Sequence, residues 1–416
     1  MSFVMVFICF SCQHSILQSQ RDIAGHKSEK AEKKYFLNVT TEQRAENLAK
    51  AQIFLPESDI SKINQVDIVK DYLKKNCNSD FNYKDDKGIH WPTETCTYVP
   101  DTENKLGGGS PKFLCEFSDI SKKDGKVVKT VKYTDNNFVM YSGEVPDVIF
   151  STNIAKLLGF PVIYYCPVHV ICKNCPSANP WRNQRASALP VTDSNIEFDY
   201  AMTKEKSEFN LISEPSSRSA QGVSWDEIRN VQAETETEKR KMKIDREVWM
   251  LWVHFIQMTD AHGGNQHLAC QEAVETSEAV YQCKKTFLFT NDYGFSMGNG
   301  FNLIQWEEQP TLRPLSHKSC AGVLSKKNFG VPARPAMSGL VLDSNISEEA
   351  KNIFLDRILK ITDDQWQTVF QLSKAEKFGR RAFYQFQDIL KTKLTALQNM
   401  KCDSFDSQKT VLGNNK

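Results

Sequence analysis

The chain has no excess of charge of either sign: 52 Lys and Arg stand against 51 Asp and Glu in 416 residues, a formal net charge of +1. It therefore exerts no global attraction on nucleic acid or anionic lipid, and a nucleic-acid partner is not favoured. Long apolar runs are missing too. The stretch MSFVMVFICFSC at the start is too short to span a bilayer, and no other segment is apolar for long enough to be a transmembrane helix. Hydrophobic residues at 40% and charged residues at 25% are ordinary globular values, which exclude wholesale disorder and a membrane bundle. Beyond that start, where Cys9 and Cys12 share the spacing, a second Cys-x-x-Cys pair to match Cys172 and Cys175 is also missing.

What is present begins with that apolar start, placed where a signal peptide would lie but without a basic flank. Phe10-Ser11-Cys12 fits the end of a loose lipobox, with Cys12 acylated and Cys9 where Leu is usual. The expectation is a leader over 1–18 and an exported chain, periplasmic or attached to a membrane through an N-terminal lipid. The alternatives are a buried N-terminal strand and a cytoplasmic protein. Ten further cysteines fit an oxidising compartment with some disulfides, or a reduced one with buried thiols, and their pairing cannot be read from spacing. Cys172-Lys-Asn-Cys175 has three readings: half of a zinc site, a redox motif, or a loop disulfide. The first wants a second pair at similar spacing, and the second wants a helix where Pro176 stands.

The length allows two or three domains or one two-lobed fold. Residues 19–94 read as a tether and helical accessory region: 19–50 are polar, a tether or a marginal helix, and 57–75 space Ile60, Ile63, Val66 and Leu73 as one helix face. From 95 to 180 the patterns turn β-like. Strands are expected at Cys96–Val99, Lys112–Phe117 and Lys126–Tyr133, with a flexible loop over 101–110 that ends in Gly107, Gly108 and Gly109. Glycines there let backbone N–H groups close over a phosphate, and a lysine on the third strand can neutralise it; Lys132 is preferred to Lys129, which faces the other way. A helix follows over 143–159, with Pro146 in its first turn, Gly159 as its cap, and Glu144, in preference to Asp147, as partner for the lysine. Two short strands are expected between Phe160 and Ile171. Residues 181–243 read as a linker or irregular insert.

Residues 244–402 carry the chemistry. An apolar helix pattern stops at Asp260; the loop Asp260-Ala-His262-Gly-Gly-Asn265 follows; and, after a polar insert, the strand Phe287-Leu-Phe-Thr delivers Asp292-Tyr-Gly294. Phosphoryl transfer needs a carboxylate beside the attacking hydroxyl, hard oxygen ligands for Mg²⁺, and turns that bring them together. Asp260 supplies the first, and Asn265 and Asp292 the second. His262 and His267 also read as a zinc pair, with no third ligand evident. Helices with N-caps Ser347 and Thr362, and a third over Phe383–Leu397, build the rest of this region; 403–416 form a tail.

The Asp-x-His-x-x-Asn and Asp-x-Gly pair resembles that of the phosphatidylinositol 3-/4-kinase-like and HipA-like branches of the protein-kinase-like superfamily. PKFLCEF, KVVKTVKY, GEVPDVIFSTNIAKLLGF and VHVICKNCP resemble the small lobe of a group of bacterial proteins with such cores. The resemblance covers about 106 to 400. It implies an α+β, two-lobed kinase-like fold, with a small β-rich N-lobe and a mainly helical C-lobe behind an N-terminal accessory segment. It also implies Mg²⁺ and ATP as cofactors and a protein or small-molecule hydroxyl as acceptor. Lys132, with Gly108 and Gly109, would meet the nucleotide and Glu144 would steady Lys132; Asp260 and His262 would be catalytic, and Asn265 and Asp292 would hold metal. An exported pseudokinase or envelope-associated binding protein without turnover is the alternative.

Overall fold

The computed structural model describes residues 36–55, 60–64, 73–74, 77, 84–85, 88–101, 111–119, 125–134, 144–175, 195–204, 210–213, 222–223, 227–228, 235–258, 265–277, 280–294, 296–297, 312–314, 320–322, 345–379 and 382–404. Helices and strands are mixed, so the chain is α+β. No described helix is long and apolar enough to cross a membrane. The expected leader, Gly108, Gly109, Asp260, His262 and most of 57–75 lie outside the described residues; within the last, Ile60–Lys62 forms a 3-10 turn.

Strand β1 (Phe36–Asn38) and helix α1 (Thr41–Lys50) occupy the second half of the stretch expected to be a tether. Thr40 and Gln43 close a capping box there, satisfying two donors that a helix start leaves open. Long-range bonds then build the segment into the body: Arg246 Nη2 donates to the Leu48 carbonyl at 2.8 Å, and Thr286 Oγ1 donates to Asn47 Oδ1 at 3.3 Å. Of the tether and the marginal helix that 19–50 allowed, 41–50 take the helix, held by distant partners that local composition does not show.

After a small pair, β2 (Lys84–Asp85) and β3 (Gly88–Ile89), come β4 (Thr93–Val99), β5 (Lys112–Asp119) and β6 (Gly125–Tyr133). Helix α2 (Glu144–Leu157) follows, then β7 (Tyr165–Lys173) as a single strand rather than the expected two. The supposed linker supplies β8 (Ile196–Lys204) and β9 (Asn210–Ser213). β8 pairs with both β6 and β7, closing a barrel in the order β4-β5-β6-β8-β7. Strand alternation sends Phe113, Cys115, Phe117, Val131, Tyr133 and Phe198 into the barrel's own core. Lys112 and Lys132, at the intervening positions, are left for the other face.

Thr235 and Glu238 form a capping box that starts α3 (Glu236–Phe255), whose second half is buried all round. The helix ends five residues before Asp260, earlier than expected. Gln257 adopts φ 52°, and its amide and that of Met258 fold back onto the His254 and Val253 carbonyls, which terminates the helical ladder. The polar insert carries strands: β10 (Gln266–Cys270), β11 (Ala273–Ser277) and β12 (Val280–Cys283) precede β13 (Thr286–Thr290), and Cys270–Cys283 clips the β11–β12 pair. β10 pairs with β13 in a sheet of order β1-β9-β10-β13, so this half carries a sheet alongside its helices. Beyond it lie β14 (Leu312–Pro314), β15 (Cys320–Gly322) and β16 (Asn345–Ile346), then α4 (Glu348–Ile358), α5 (Asp363–Leu372), α6 (Ala375–Gly379) and α7 (Phe383–Asn399). Ser347 and Thr362 cap α4 and α5 as their sequence suggests.

Helix α2 is buried on nearly every side, with only Lys156 of its residues not fully enclosed. Phe150 stacks on Trp366 of α5 at 6.1 Å and meets Phe386 of α7 edge-on at 5.4 Å. At the far end, Gly159 takes φ 88°, a left-handed turn that lets the chain leave for β7. The helix thus sits wedged between the barrel and the helical layer.

Candidate functional site

Lys132 lies near the end of β6, facing away from the barrel core and towards the first turn of α2. Glu144 is the first residue of that helix, 12 positions on, and accepts from Lys132 Nζ at 3.1 Å. The same ammonium makes an ion pair with Asp292 Oδ2, just beyond β13 and 160 positions away. Three segments distant in sequence therefore meet at one cation, which is 8% exposed and lies 5.9 Å from the Tyr165 ring centre.

Burial pushes the Lys132 ammonium towards neutrality, but the charges of Asp292 and then Glu144 outweigh it and hold its pKa well above the ordinary lysine value. Burial would likewise raise Asp292. The Lys132 charge and hydrogen bond, the Gly294 amide and the charge of Lys112 together keep its carboxyl below the usual range. Both groups are thus held charged.

The Asp292-Tyr-Gly turn is fixed on several sides. Gly294 N–H donates to Asp292 Oδ1 at 2.9 Å. A Cβ on Gly294 would sit 3.2 Å from that oxygen and 3.2 Å from Glu144 Cγ, so the glycine is what lets the two carboxylates approach the same turn. Tyr293 is buried against Trp252 of α3, edge to face at 6.3 Å, and burial lifts its phenol to about 12. Met297 N–H donates to the Ile256 carbonyl at 2.7 Å, and the Ser296 and Ser151 hydroxyls lie 2.7 Å apart, which ties the segment after the turn to α3 and α2.

Asn265 is buried at the start of β10, and its carbonyl accepts the Asn291 amide at 2.8 Å, which makes it the backbone neighbour of Asn291, the residue before Asp292, across the sheet. His267, paired with His262 in the zinc reading, lies within β10 and packs 5.7 Å from Phe289, as a core residue. Asp147, the other acid considered for the lysine, is fully buried in α2, and Glu144 takes that contact. The Asp292 carboxylate is a hard oxygen donor held ionised, and it fits a magnesium ion better than a soft metal.

Three contributors were not singled out from the sequence. Lys112 pairs directly with Lys132 across the β5–β6 hairpin and is buried beside Asp292. A turn read at Lys122–Gly125 would set Cys115 opposite Lys132, so only the register of the folded hairpin reveals it. Lys204 Nζ donates to Asn291 Oδ1 at 3.1 Å, and Tyr165 OH donates to the Asn291 carbonyl at 3.1 Å. Lys204 was hidden by lying in a stretch read as linker. Together the three lysines give a positively biased wall around two carboxylates, suited to an anionic ligand that brings its own counter-cation.

No protein-family model matches the chain, and no curated protein matches it. Among solved structures it is similar to the crystal structure of a Helicobacter pylori proinflammatory kinase, CtkA, at 12% identity, over 74% of this chain and 95% of that chain, with a TM-score of 0.37. A likeness that loose carries no argument about chemistry, which rests on the site's own geometry.

Proposed function

We propose that the protein is a two-lobed, kinase-like phosphotransferase that uses Mg-ATP to phosphorylate a hydroxyl of a protein or small molecule. The observation that carries this reading is the buried Lys132, shared between Glu144 at a helix start and Asp292 at a strand end. An ammonium so held is oriented for the phosphates of a nucleotide, and Glu144 keeps it in place when Asp292 turns to metal. Bound magnesium would neutralise phosphate charge, and Asp292 with Asn265 would hold it. Asp260 would accept a hydrogen bond from the acceptor hydroxyl, with His262 beside it, and the amides of Gly108 and Gly109 would cover the phosphates. Beside Asp292 and Glu144 Lys132 is held protonated, and it would act as an electrostatic group and not as a base.

Thermal unfolding with and without Mg-ATP tests this. At ligand 100-fold over its Kd the native state gains about 2.7 kcal/mol. The wild type should show a magnesium-dependent rise in Tm, and Asp292→Asn and Lys132→Ala should each lose it while still melting cooperatively. No shift in the wild type would remove nucleotide binding and the proposal with it.

A second reading, an exported pseudokinase or binding protein without turnover, is favoured by one observation. The described cysteines are all paired, in five disulfides, which suits an oxidising compartment where ATP is scarce. Nucleotide binding without ATP consumption, over a panel of hydroxyl acceptors, would select it.

A further inference from the structure

The phosphotransfer reading makes no use of the four cysteines at the C-terminal end of β7. Cys96 on β4 stands directly opposite Cys172 on β7 across their parallel ladder. Cys115 on β5 is bonded to Cys96, and Cys175 is bonded to Cys172. The Sγ atoms of Cys96, Cys115 and Cys172 all lie within 4.8 Å of one another. Two disulfides therefore lie side by side, with sulfurs of one reaching those of the other. All four residues are buried, and Phe113, Phe117 and Phe198 belong to the same apolar cluster.

A zinc ion bound by four thiolates at about 2.3 Å spaces its sulfurs about 3.8 Å apart, so this cluster needs little movement to reach that geometry. The turn Cys172-Lys-Asn-Cys175, with Asn174 at φ 58°, supplies two ligands at the spacing zinc sites use. The second pair that this motif requires is present in space, though its members are 19 residues apart in sequence. An apolar, closed surround with four protein ligands is the form of a structural site.

We propose that Cys96, Cys115, Cys172 and Cys175 form a redox-gated zinc site, holding two disulfides under oxidising conditions and one tetrathiolate zinc under reducing ones. Two equivalents of a dithiol reductant deliver four electrons and four protons, breaking both S–S bonds to give four thiols while the reductant closes to its own disulfides. Zinc then binds the four sulfurs as thiolates and releases the four protons. In either state β4, β5 and β7 remain cross-linked at one place, so the barrel stays closed in both kinds of compartment.

The test uses the full chain, reduced with a phosphine, and Co²⁺ or Zn²⁺ alone as the probe. Reduced wild type should bind cobalt with the intense visible bands of tetrahedral thiolate coordination, and zinc should displace it; the oxidised protein should show none. Alkylation with peptide mapping should find Cys96, Cys115, Cys172 and Cys175 protected by zinc while Cys270 and Cys283 react. Cys96→Ser and Cys172→Ser should abolish the cobalt bands, and Cys270→Ser should keep them. Absence of the bands in reduced wild type, protection that maps to other cysteines, or a reduced chain that stays unfolded with zinc present would each overturn the proposal.

Discussion

Lys132 compensates two carboxylates at once, so its removal takes from Glu144 and Asp292 the ion-pair partner they share. Breaking a buried pair on one side costs about 3–5 kcal/mol, and Lys132→Met should lower the urea midpoint accordingly. Adding Asp292→Asn should restore part of the loss, with a coupling of about 1–3 kcal/mol; strictly additive effects would show that the pair does not form in solution. The pH dependence has a definite sign. Asp292 has a depressed folded pKa, so its contribution is present above the ordinary aspartate value of about 3.9 and is lost as pH falls through the depressed one. Lys132 has a raised one, so its contribution is complete below about 10.4 and lost as pH climbs through the raised value. The stability difference between wild type and Asp292→Asn should therefore be flat across neutral pH and shrink in acid. At Gly294 the added methyl of Gly294→Ala meets Asp292 and Glu144 at 3.2 Å. On the proposed function it should weaken Mg-ATP binding about tenfold, or ~1.4 kcal/mol, with little change in Tm; calorimetric affinity equal to wild type would refute the tight fit.

Among the elements, the junction of α3 and α4 carries its own titration. Glu247 of α3 accepts from the Ser347 amide at 2.9 Å and from the Ser347 hydroxyl, so one carboxylate serves the N-cap of another helix. Burial pushes Glu247 up to about 7, against the pull of those two hydrogen bonds. A raised acid binds its proton more tightly in the folded chain, so stability falls as pH climbs from about 4.3, the unfolded value, through that raised pKa. Glu247→Gln keeps an acceptor for Ser347 and removes the charge. It should flatten the stability profile between those limits and stabilise the protein above them by on the order of 3 kcal/mol. Denaturant titrations at a series of pH values would show it, and an unchanged slope would assign the titration elsewhere.

At the scale of the whole molecule, Cys77–Cys166 joins residues 89 apart and fastens the accessory region to β7, next to Tyr165, whose hydroxyl holds the Asn291 carbonyl. Loss of a native cross-link over so long a loop costs about 2–5 kcal/mol, chiefly by freeing the unfolded chain. The double variant Cys77→Ser and Cys166→Ser should lose that much in guanidinium unfolding, and an unchanged midpoint would mean that the bridge is not formed. Its place beside the site makes the accessory region part of the scaffold.

Local signals were sufficient for much of this. Ser347 and Thr362 announce their helices because a cap acts over three residues. The β4, β5 and β6 patterns alternate over a barrel wall, and Lys132, Glu144 and Asp292 stand where a strand, a helix start and a strand end would present them. Other features had no local cause. β8 is set in a polar stretch and is a strand because β6 and β7 each leave an edge that it closes. β1 and β9, three and four residues long, exist through each other and β10. The amino-acid order by itself determined which side chains were available for chemistry and which short segments would cap or pleat. Only the tertiary structure decided that residues 132, 144 and 292 share one ion pair, and that Cys96 and Cys115 complete the cluster begun by Cys172 and Cys175. The physical reason is that ion pairing and sulfur contact depend on distance in space, which the closed barrel and the wedged helix set and which sequence separation does not.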